Sequence, residues 1–137
     1  MPRARRLVEL VRDPIELVDV AALRGLLAGH GQRVAVQTPC TLQHGQKLNG
    51  RIEALLGELG WQVLASAEGH LCCGSAGAYS LLEPAMSRTL RDRKLGNLMA
   101  EGPELIVTAN IGCQLHLAAA ARVPVRHWLE VLADRLA

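Results

Sequence analysis

Short continuous apolar runs alternate with longer stretches of helical spacing along this chain of 137 residues. Runs of strand length, rich in β-branched residues, predict strands at residues 33–38, 61–66, 105–109 and 123–126. Apolar residues three and four positions apart predict helices at residues 47–59, 84–101, 111–121 and 128–136. From residue 33 onward strand and helix alternate, an order typical of a parallel sheet with right-handed crossovers. The predicted fold is therefore α/β, a single Rossmann-like domain with a roughly four-stranded parallel sheet flanked by helices.

The residues of two predicted strands and one predicted helix also indicate which parts of these elements are buried or exposed. The run from residue 105 to 109 is apolar throughout, as in a strand buried on both faces of a parallel sheet. Pro124 suggests that the last strand lies at the sheet edge. In the helix that starts at Pro84, the residues predicted to form the apolar side are Met86, Leu90, Leu95, Leu98 and Met99. Its basic residues at helical spacing predict a solvated face or, alternatively, a docking surface for an acidic partner: Arg88, Arg91 and Lys94.

The first 30 residues are predicted to be helical and separate from the alternating unit. After a short helix, Asp13 is a natural N-cap and Pro14 suits the first helical position. The second helix is expected to continue to about Ala28 and to end at Gly29. We therefore expect residues 1–30 to be a helical arm or inter-domain linker, and residues 31–137 to be the cysteine-rich domain.

Composition narrows the class of protein. Half of the residues are apolar and 20% are charged, which is typical of a globular protein. The formal net charge of +2 and the near absence of aromatic residues argue against a nucleic-acid partner. A secretory signal and a run of about 20 apolar residues are both missing from the sequence. We therefore expect a cytoplasmic protein whose association with a membrane is at most peripheral.

The cysteines supply the candidate chemistry. Cys40 follows the first predicted strand, Cys72 and Cys73 follow the second, and Cys113 follows the third. Because the carboxyl ends of parallel strands meet at one edge of a sheet, we expect all four sulfurs to converge there. Converging thiols in a reducing compartment indicate a metal or iron–sulfur centre rather than disulfides.

The residues around the cysteines suit a bound group. Gly74 permits unusual backbone angles and a close approach, and Cys113 lies at a helix start, where the helix dipole favours a thiolate. His116 lies on the same helical face as Cys113. It is therefore a candidate for a further ligand of the bound group or for a hydrogen-bond donor to a sulfur. Asn110 is expected to satisfy backbone groups of the preceding turn. At this point zinc and a purely structural role for the cysteines stay open, although the spacing of the cysteines fits zinc poorly.

Four segments carry a resemblance to a known family. They are residues 38–44 (TPCTLQH), 70–77 (HLCCGSAG), 91–95 (RDRKL) and 109–117 (ANIGCQLHL), with 124–128 (PVRHW) in agreement. Together they resemble the cysteine-rich CCG domain, and within that family the carboxyl-terminal CCG domain of glycolate oxidase iron–sulfur subunits. The resemblance covers residues 5 to 137.

The resemblance implies an iron–sulfur electron-transfer domain that is not itself catalytic. Its iron–sulfur cluster would be held by Cys40, Cys72, Cys73 and Cys113. The implied partners are an FAD-binding subunit of glycolate oxidase type and an amino-terminal portion with ferredoxin-like clusters and a first CCG domain. The complex would pass electrons from a 2-hydroxy acid to an acceptor.

One position departs from a related pattern. In heterodisulfide reductase the last motif ends in Cys-x-x-Cys, whereas here His116 takes the last position, so four cysteines remain. Four thiolates are the usual complement of a 4Fe-4S cluster. The alternatives are a heterodisulfide-reductase-like cluster that acts on thiols or disulfides, and a structural zinc or thiol module.

Overall fold

The computed structural model describes residues 2–25 and 31–136, and its strands form one sheet in which every neighbouring pair is parallel. The strands are β1 (Arg33–Gln37), β2 (Gln62–Leu64), β3 (Leu105–Thr108) and β4 (Val125–His127). Their order across the sheet is β2-β1-β3-β4, so β4 lies at an edge, as Pro124 suggests. The predicted α/β fold with a parallel sheet is confirmed.

The helices described by the structure are α1 (Pro2–Leu10), α2 (Pro14–Leu17), α3 (Val20–Arg24), α4 (Arg51–Glu58), α5 (Tyr79–Leu82), α6 (Pro84–Met99), α7 (Ile111–Ala118) and α8 (Trp128–Leu136). A single π-helical turn covers Thr41–Gly45. The predicted helix at 47–59 is present but shorter at both ends, and those at 84–101 and 111–121 end two or three residues earlier than predicted. The helix at 128–136 has the predicted bounds. The short α5, one turn before α6, was not predicted.

The sheet separates two apolar clusters because successive side chains of a strand point to opposite faces. Val34 and Val36 of β1 belong to the cluster that includes buried residues of α4 and α8. Ala35 of β1 belongs to the other cluster, which includes buried residues of α6 and α7 together with Cys73 and Cys113. Two of the four sulfurs therefore lie on the α6–α7 side of the sheet.

The amino-terminal region differs from the prediction of one helix from Pro14 to about Ala28. Asp13 caps α2 as predicted, but α2 ends at Leu17, and Val18 has an extended backbone. Asp19 then starts α3 because its side chain accepts hydrogen bonds from the amides of residues 21 and 22. The predicted end at Gly29 lies outside the described residues. Side chains 3–12 are exposed, whereas Ile15 is buried in the α4–α8 cluster.

The inner face of α6 is also different from the prediction. Met86 was expected to be buried but is 52% exposed, while Ser87 and Lys94 are buried with Leu95 and Leu98. The prediction of a solvated basic face is therefore wrong at Lys94. The reason is geometric: positions 87, 94, 95 and 98 share one stripe of the helix, and that stripe faces the protein. Within the described residues, no helix has both the length and the apolar character that crossing a membrane requires.

Candidate metal centre

The structure brings Cys40, Cys72, Cys73 and Cys113 together around one cavity of about 470 Å³. The cavity lies beyond the carboxyl ends of β1 and β3, where ligand sites of parallel α/β sheets form. All four cysteines are free thiols. Cys73 and Cys113 are buried, and Cys40 and Cys72 are half-buried.

Cys40 reaches the cavity because the chain turns sharply after β1. Pro39, which is buried, accepts a hydrogen bond from the amide of Gln43 at 2.9 Å. The π-helical turn that follows Cys40 closes with a bond from the amide of Gln46 to the carbonyl of Thr41 at 2.9 Å. This wide turn leads the chain away from the sheet directly after the cysteine.

The adjacent cysteines lie in an irregular segment that follows β2. Two backbone amides of this segment donate to sulfur: Gly74 N to Cys72 Sγ at 3.3 Å, and Ser75 N to Cys73 Sγ at 3.5 Å. Hydrogen bonds of this kind stabilise the charged form of a thiol. The backbone turn after the pair therefore presents one N–H donor to each of the two sulfurs.

Cys113 is placed by the start of α7. Asn110 is the N-cap, and its Oδ1 accepts from the amides of Gly112 at 2.9 Å and Cys113 at 3.2 Å. The prediction that Asn110 satisfies turn backbone is confirmed. Cys113 thus lies in the first turn of a helix, where the positive end of the helix dipole favours negative charge.

The strand ends below the cavity are joined by a buried polar pair. Gln37 and Thr108 are register partners, and both are fully buried. Thr108 Oγ1 donates to Gln37 Oε1 at 2.6 Å, and Gln37 Nε2 donates to the carbonyl of Thr38 at 3.0 Å. This pair fixes the relative position of the two strands that lead to Cys40 and Cys113.

The sulfurs interact strongly with one another. Cys73 Sγ and Cys113 Sγ share a hydrogen bond of 3.1 Å, well beyond the roughly 2.05 Å of a disulfide. This bond lowers the pKa of Cys73 to about 6, against the opposing effect of burial. The same bond, followed by burial, raises the pKa of Cys113. Burial, and then the charge on Cys72, raises the pKa of Cys40. The shared hydrogen bond therefore favours the thiolate at Cys73 and the thiol at Cys113.

His116 and Gly74 lie behind the cysteine pair, and neither lines the cavity. His116 Nε2 is 3.1 Å from Ser87 Oγ, and Ser87 Oγ donates to the carbonyl of Gly74 at 2.7 Å. Ser87 of α6 therefore connects the histidine to the turn that carries Cys72 and Cys73. That His116 and Gly74 contribute to cofactor binding stays a prediction.

Sequence reasoning missed Ser87 and Lys94, the buried polar residues of α6. Lys94 Nζ donates to the carbonyls of Glu68 at 3.2 Å and Gly69 at 3.1 Å, just before the cysteine pair. Their burial could have been predicted from their spacing, because the two residues lie seven positions apart on the helix stripe that also carries Leu95 and Leu98. The exposed His44 and His70 do not line the cavity.

The donor set determines what the cavity can hold. Thiolates suit soft metal ions and iron–sulfur clusters. Within the described residues, no group of three or more histidine, cysteine or acidic side chains is arranged to hold a single metal ion. The cavity volume falls within the roughly 300–1,000 Å³ range of small-molecule and cofactor sites. The four thiols and this volume fit a bound group that is larger than one ion.

Fold and site together define a parallel α/β domain with a thiol-lined cavity at the carboxyl edge of its sheet. The sequence profile of the cysteine-rich domain (CCG) family matches residues 34–118, a range that includes all four cysteines. The chain belongs to this family, as its motifs indicated.

Full-length relatives show how far the similarity extends. The glycolate oxidase iron-sulfur subunit of Escherichia coli (strain K12) is 48% identical over 134 residues, which are 98% of this chain and 33% of that protein. Lactate utilization protein A of Geobacillus kaustophilus (strain HTA426) is 30% identical over an alignment of 128 positions that covers 87% of this chain and 52% of the relative. Uncharacterized protein YkgE of Escherichia coli (strain K12) is 27% identical over an alignment of 140 positions that covers 97% of this chain and 56% of the relative. The chain thus spans between one third and a little over half of the length of these relatives.

Proposed function

We propose that this domain holds an iron–sulfur cluster through Cys40, Cys72, Cys73 and Cys113 and serves in electron transfer. The observation that carries the proposal is that thiols from three separate strand ends line one cavity. The name of the Escherichia coli relative, an iron-sulfur subunit, supports the same assignment. A cluster in this position supplies a one-electron carrier.

The residues of this chain prepare the cavity for such a group. Thiolates are the ligands of iron–sulfur clusters, and binding displaces the thiol protons. The amides of Gly74 and Ser75 and the start of α7 offset the negative charge that then collects on the sulfurs. Four thiolates are the usual complement of a 4Fe-4S cluster, which we therefore propose as its type. His116 and Gly74 would tune it from behind the cysteine pair.

The domain is proposed to work within a larger complex. Relatives named for glycolate oxidase and lactate utilization suggest that electrons come from a 2-hydroxy acid. An FAD-binding subunit would deliver them, and an amino-terminal portion with ferredoxin-like clusters and a first CCG domain would complete the polypeptide. Residues 1–30 would then form the linker and residues 31–137 the last domain. We propose a cytoplasmic location with at most peripheral membrane contact.

Anaerobic reconstitution of the full chain with iron and sulfide tests the proposal. We expect iron and acid-labile sulfide in stoichiometric amounts and an EPR signal in one redox state. Replacing any one of the four cysteines by serine should reduce the iron content by at least half, because each supplies a ligand. The variants His44→Ala and His70→Ala are matched controls, since both side chains are exposed and lie outside the cavity.

A folded, anaerobically reconstituted chain that holds zinc without labile sulfide would contradict the proposal and favour a structural zinc module. Iron content that falls in either histidine control would show that the ligand set is wrong.

A further inference from the structure

The α6 helix carries a lysine that is removed from solvent. Lys94 is only 1% exposed, and it is among the largest fully buried side chains of the protein. Its Nζ donates to the carbonyls of Glu68 and Gly69, which satisfy two of the three N–H donors of an ammonium group. Burying a positive charge is expensive unless an anion lies nearby.

Within the described residues, Lys94 forms no ion pair with a carboxylate. The carboxylate of Glu68 is held instead by Arg93, and Asn97 Nδ2 donates to it at 2.8 Å. Asp92, also on α6, pairs with Arg91. The carboxylates of Glu68 and Asp92 therefore already have other partners.

The groups that act on Lys94 include the cysteines of the cavity. Burial lowers the pKa of Lys94, and negative charge at Cys40 and Cys73, when those sulfurs are thiolates, opposes that shift, with smaller effects from Glu68 and Cys72. Lys94 also binds the carbonyl of Gly69, three residues before Cys72. The buried ammonium group therefore lies against the segment that leads into Cys72 and Cys73, two of the residues that line the cavity.

We propose that Lys94 is a built-in counter-charge for the group held by the four cysteines, and that it favours the reduced form of that group. The inference rests on the proposed iron–sulfur function. One electron delivered to that group by a reduced flavin of the proposed partner would add one negative charge to the cavity. A fixed cation in a low-dielectric interior stabilises the more negative state to a greater extent.

Lys94 also holds the segment at Glu68 and Gly69, and a purely structural role has to be separated from the electrostatic one. Lys94→Gln keeps a hydrogen-bond donor near the two carbonyls but removes the charge. Lys94→Arg keeps the charge. Arg88→Gln is the matched control, because it removes the same charge from an exposed position of the same helix.

The test is a spectroelectrochemical titration of the anaerobically reconstituted full chain, with dithionite as the reductant. At the wild-type midpoint potential, we expect the ratio of oxidised to reduced centre in Lys94→Gln to rise at least tenfold, which equals about 59 mV for one electron. Lys94→Arg and Arg88→Gln should both change that ratio less than threefold. Iron content and circular dichroism of each variant are measured in parallel.

The outcomes separate this inference from the function on which it rests. If the wild-type chain binds no cluster, the proposed function is wrong and the inference falls with it. If the wild type and Lys94→Gln both load but their potentials agree, only the inference is wrong. Loss of loading in Lys94→Gln with normal loading in Lys94→Arg supports the requirement for charge. Loss of loading in both, in chains that still fold, indicates a structural role and overturns it.

Discussion

At the scale of single residues, Gly74 shows how closely the cysteine pair is fitted to α6. Its backbone has a φ of +91°, and a Cβ at this position would lie 2.3 Å from the backbone oxygen of Ser87. Gly77, in the same segment, has a φ of +60° but open space where a Cβ would lie. The two glycines therefore share the backbone requirement and differ in the space available.

This contrast predicts different losses of stability. Gly77→Ala should cost about 1–2 kcal/mol for the left-handed backbone alone. Gly74→Ala should lose about 1–3 kcal/mol more, because α6 has to move away from the cysteine pair. Urea unfolding of both metal-free variants measures the difference. Equal losses would mean that the close approach of Gly74 to α6 is not important.

Ser87 determines the hydrogen-bonding role of His116 Nε2. Its hydroxyl proton is directed to the carbonyl of Gly74, so its oxygen accepts from His116 Nε2. The second neighbour of Nε2, the carbonyl of Ser87 at 3.4 Å, is also an acceptor. The neutral imidazole should therefore carry its proton on Nε2.

Nitrogen-15 NMR of histidine-labelled, metal-free protein measures this tautomer. We expect the Nε2–H form for His116 and loss of that preference in Ser87→Ala, with the exposed His44 as an internal reference. A protonated Nδ1 in the wild type would show that the chain from His116 through Ser87 to Gly74 is arranged differently.

At the scale of helices and strands, the cysteines depend on how elements begin and end. Asn110 caps α7 in the turn that carries Cys113, and Gln37 joins β1 to β3 below the cavity. The strand ends could be predicted because continuous apolar runs stop there. The break between α2 and α3 could not, because Asp19 interrupts a stretch whose apolar spacing suits one helix.

The N-cap of α7 provides a prediction at this scale. Asn110→Ala removes the acceptor for two amides and should destabilise the metal-free protein by about 1 kcal/mol. Asn110→Asp keeps an equivalent cap and should stay within a few tenths of a kcal/mol of the wild type. Thermal unfolding followed by circular dichroism compares the two. A loss of similar size in both would indicate that the amide nitrogen of Asn110, rather than its capping oxygen, is what matters.

Helix α6 marks the limit of what the sequence could show. The predicted apolar side included Met86, which is exposed, and the predicted solvated face included Lys94, which is buried. Lysine is rarely buried, so sequence patterns normally assign it to the exposed face of a helix. Its surroundings become clear only when the segment at Glu68 and Gly69 is placed against the helix.

At the scale of the whole molecule, the order of strands brings the cysteines together. Because β1 and β3 are neighbours, residues more than 70 positions apart meet at one edge, and the segment after β2 completes the cavity. This convergence could be predicted because parallel strands end on the same side of a sheet. The positions of His116 and Gly74 behind the pair depend on packing between α6 and α7, which spacing alone does not determine.

The amino-terminal region gives a prediction at the same scale. Side chains 3–12 are exposed, so deletion of residues 2–12 should change the free energy of unfolding by less than about 0.5 kcal/mol. Ile15→Ala should lose about 2–5 kcal/mol, since that side chain is buried in the α4–α8 cluster. Urea unfolding of the metal-free proteins distinguishes them. A large loss in the deletion variant would show that α1 contributes to the folded domain.

The two apolar clusters on either side of the sheet differ in one respect, since Cys73 and Cys113 belong only to the α6–α7 cluster. Oxidation of these thiols would therefore disturb packing first on the α6–α7 side of the sheet, where the modified atoms lie, and would reach the other cluster only through β1 and β3, which contribute side chains to both.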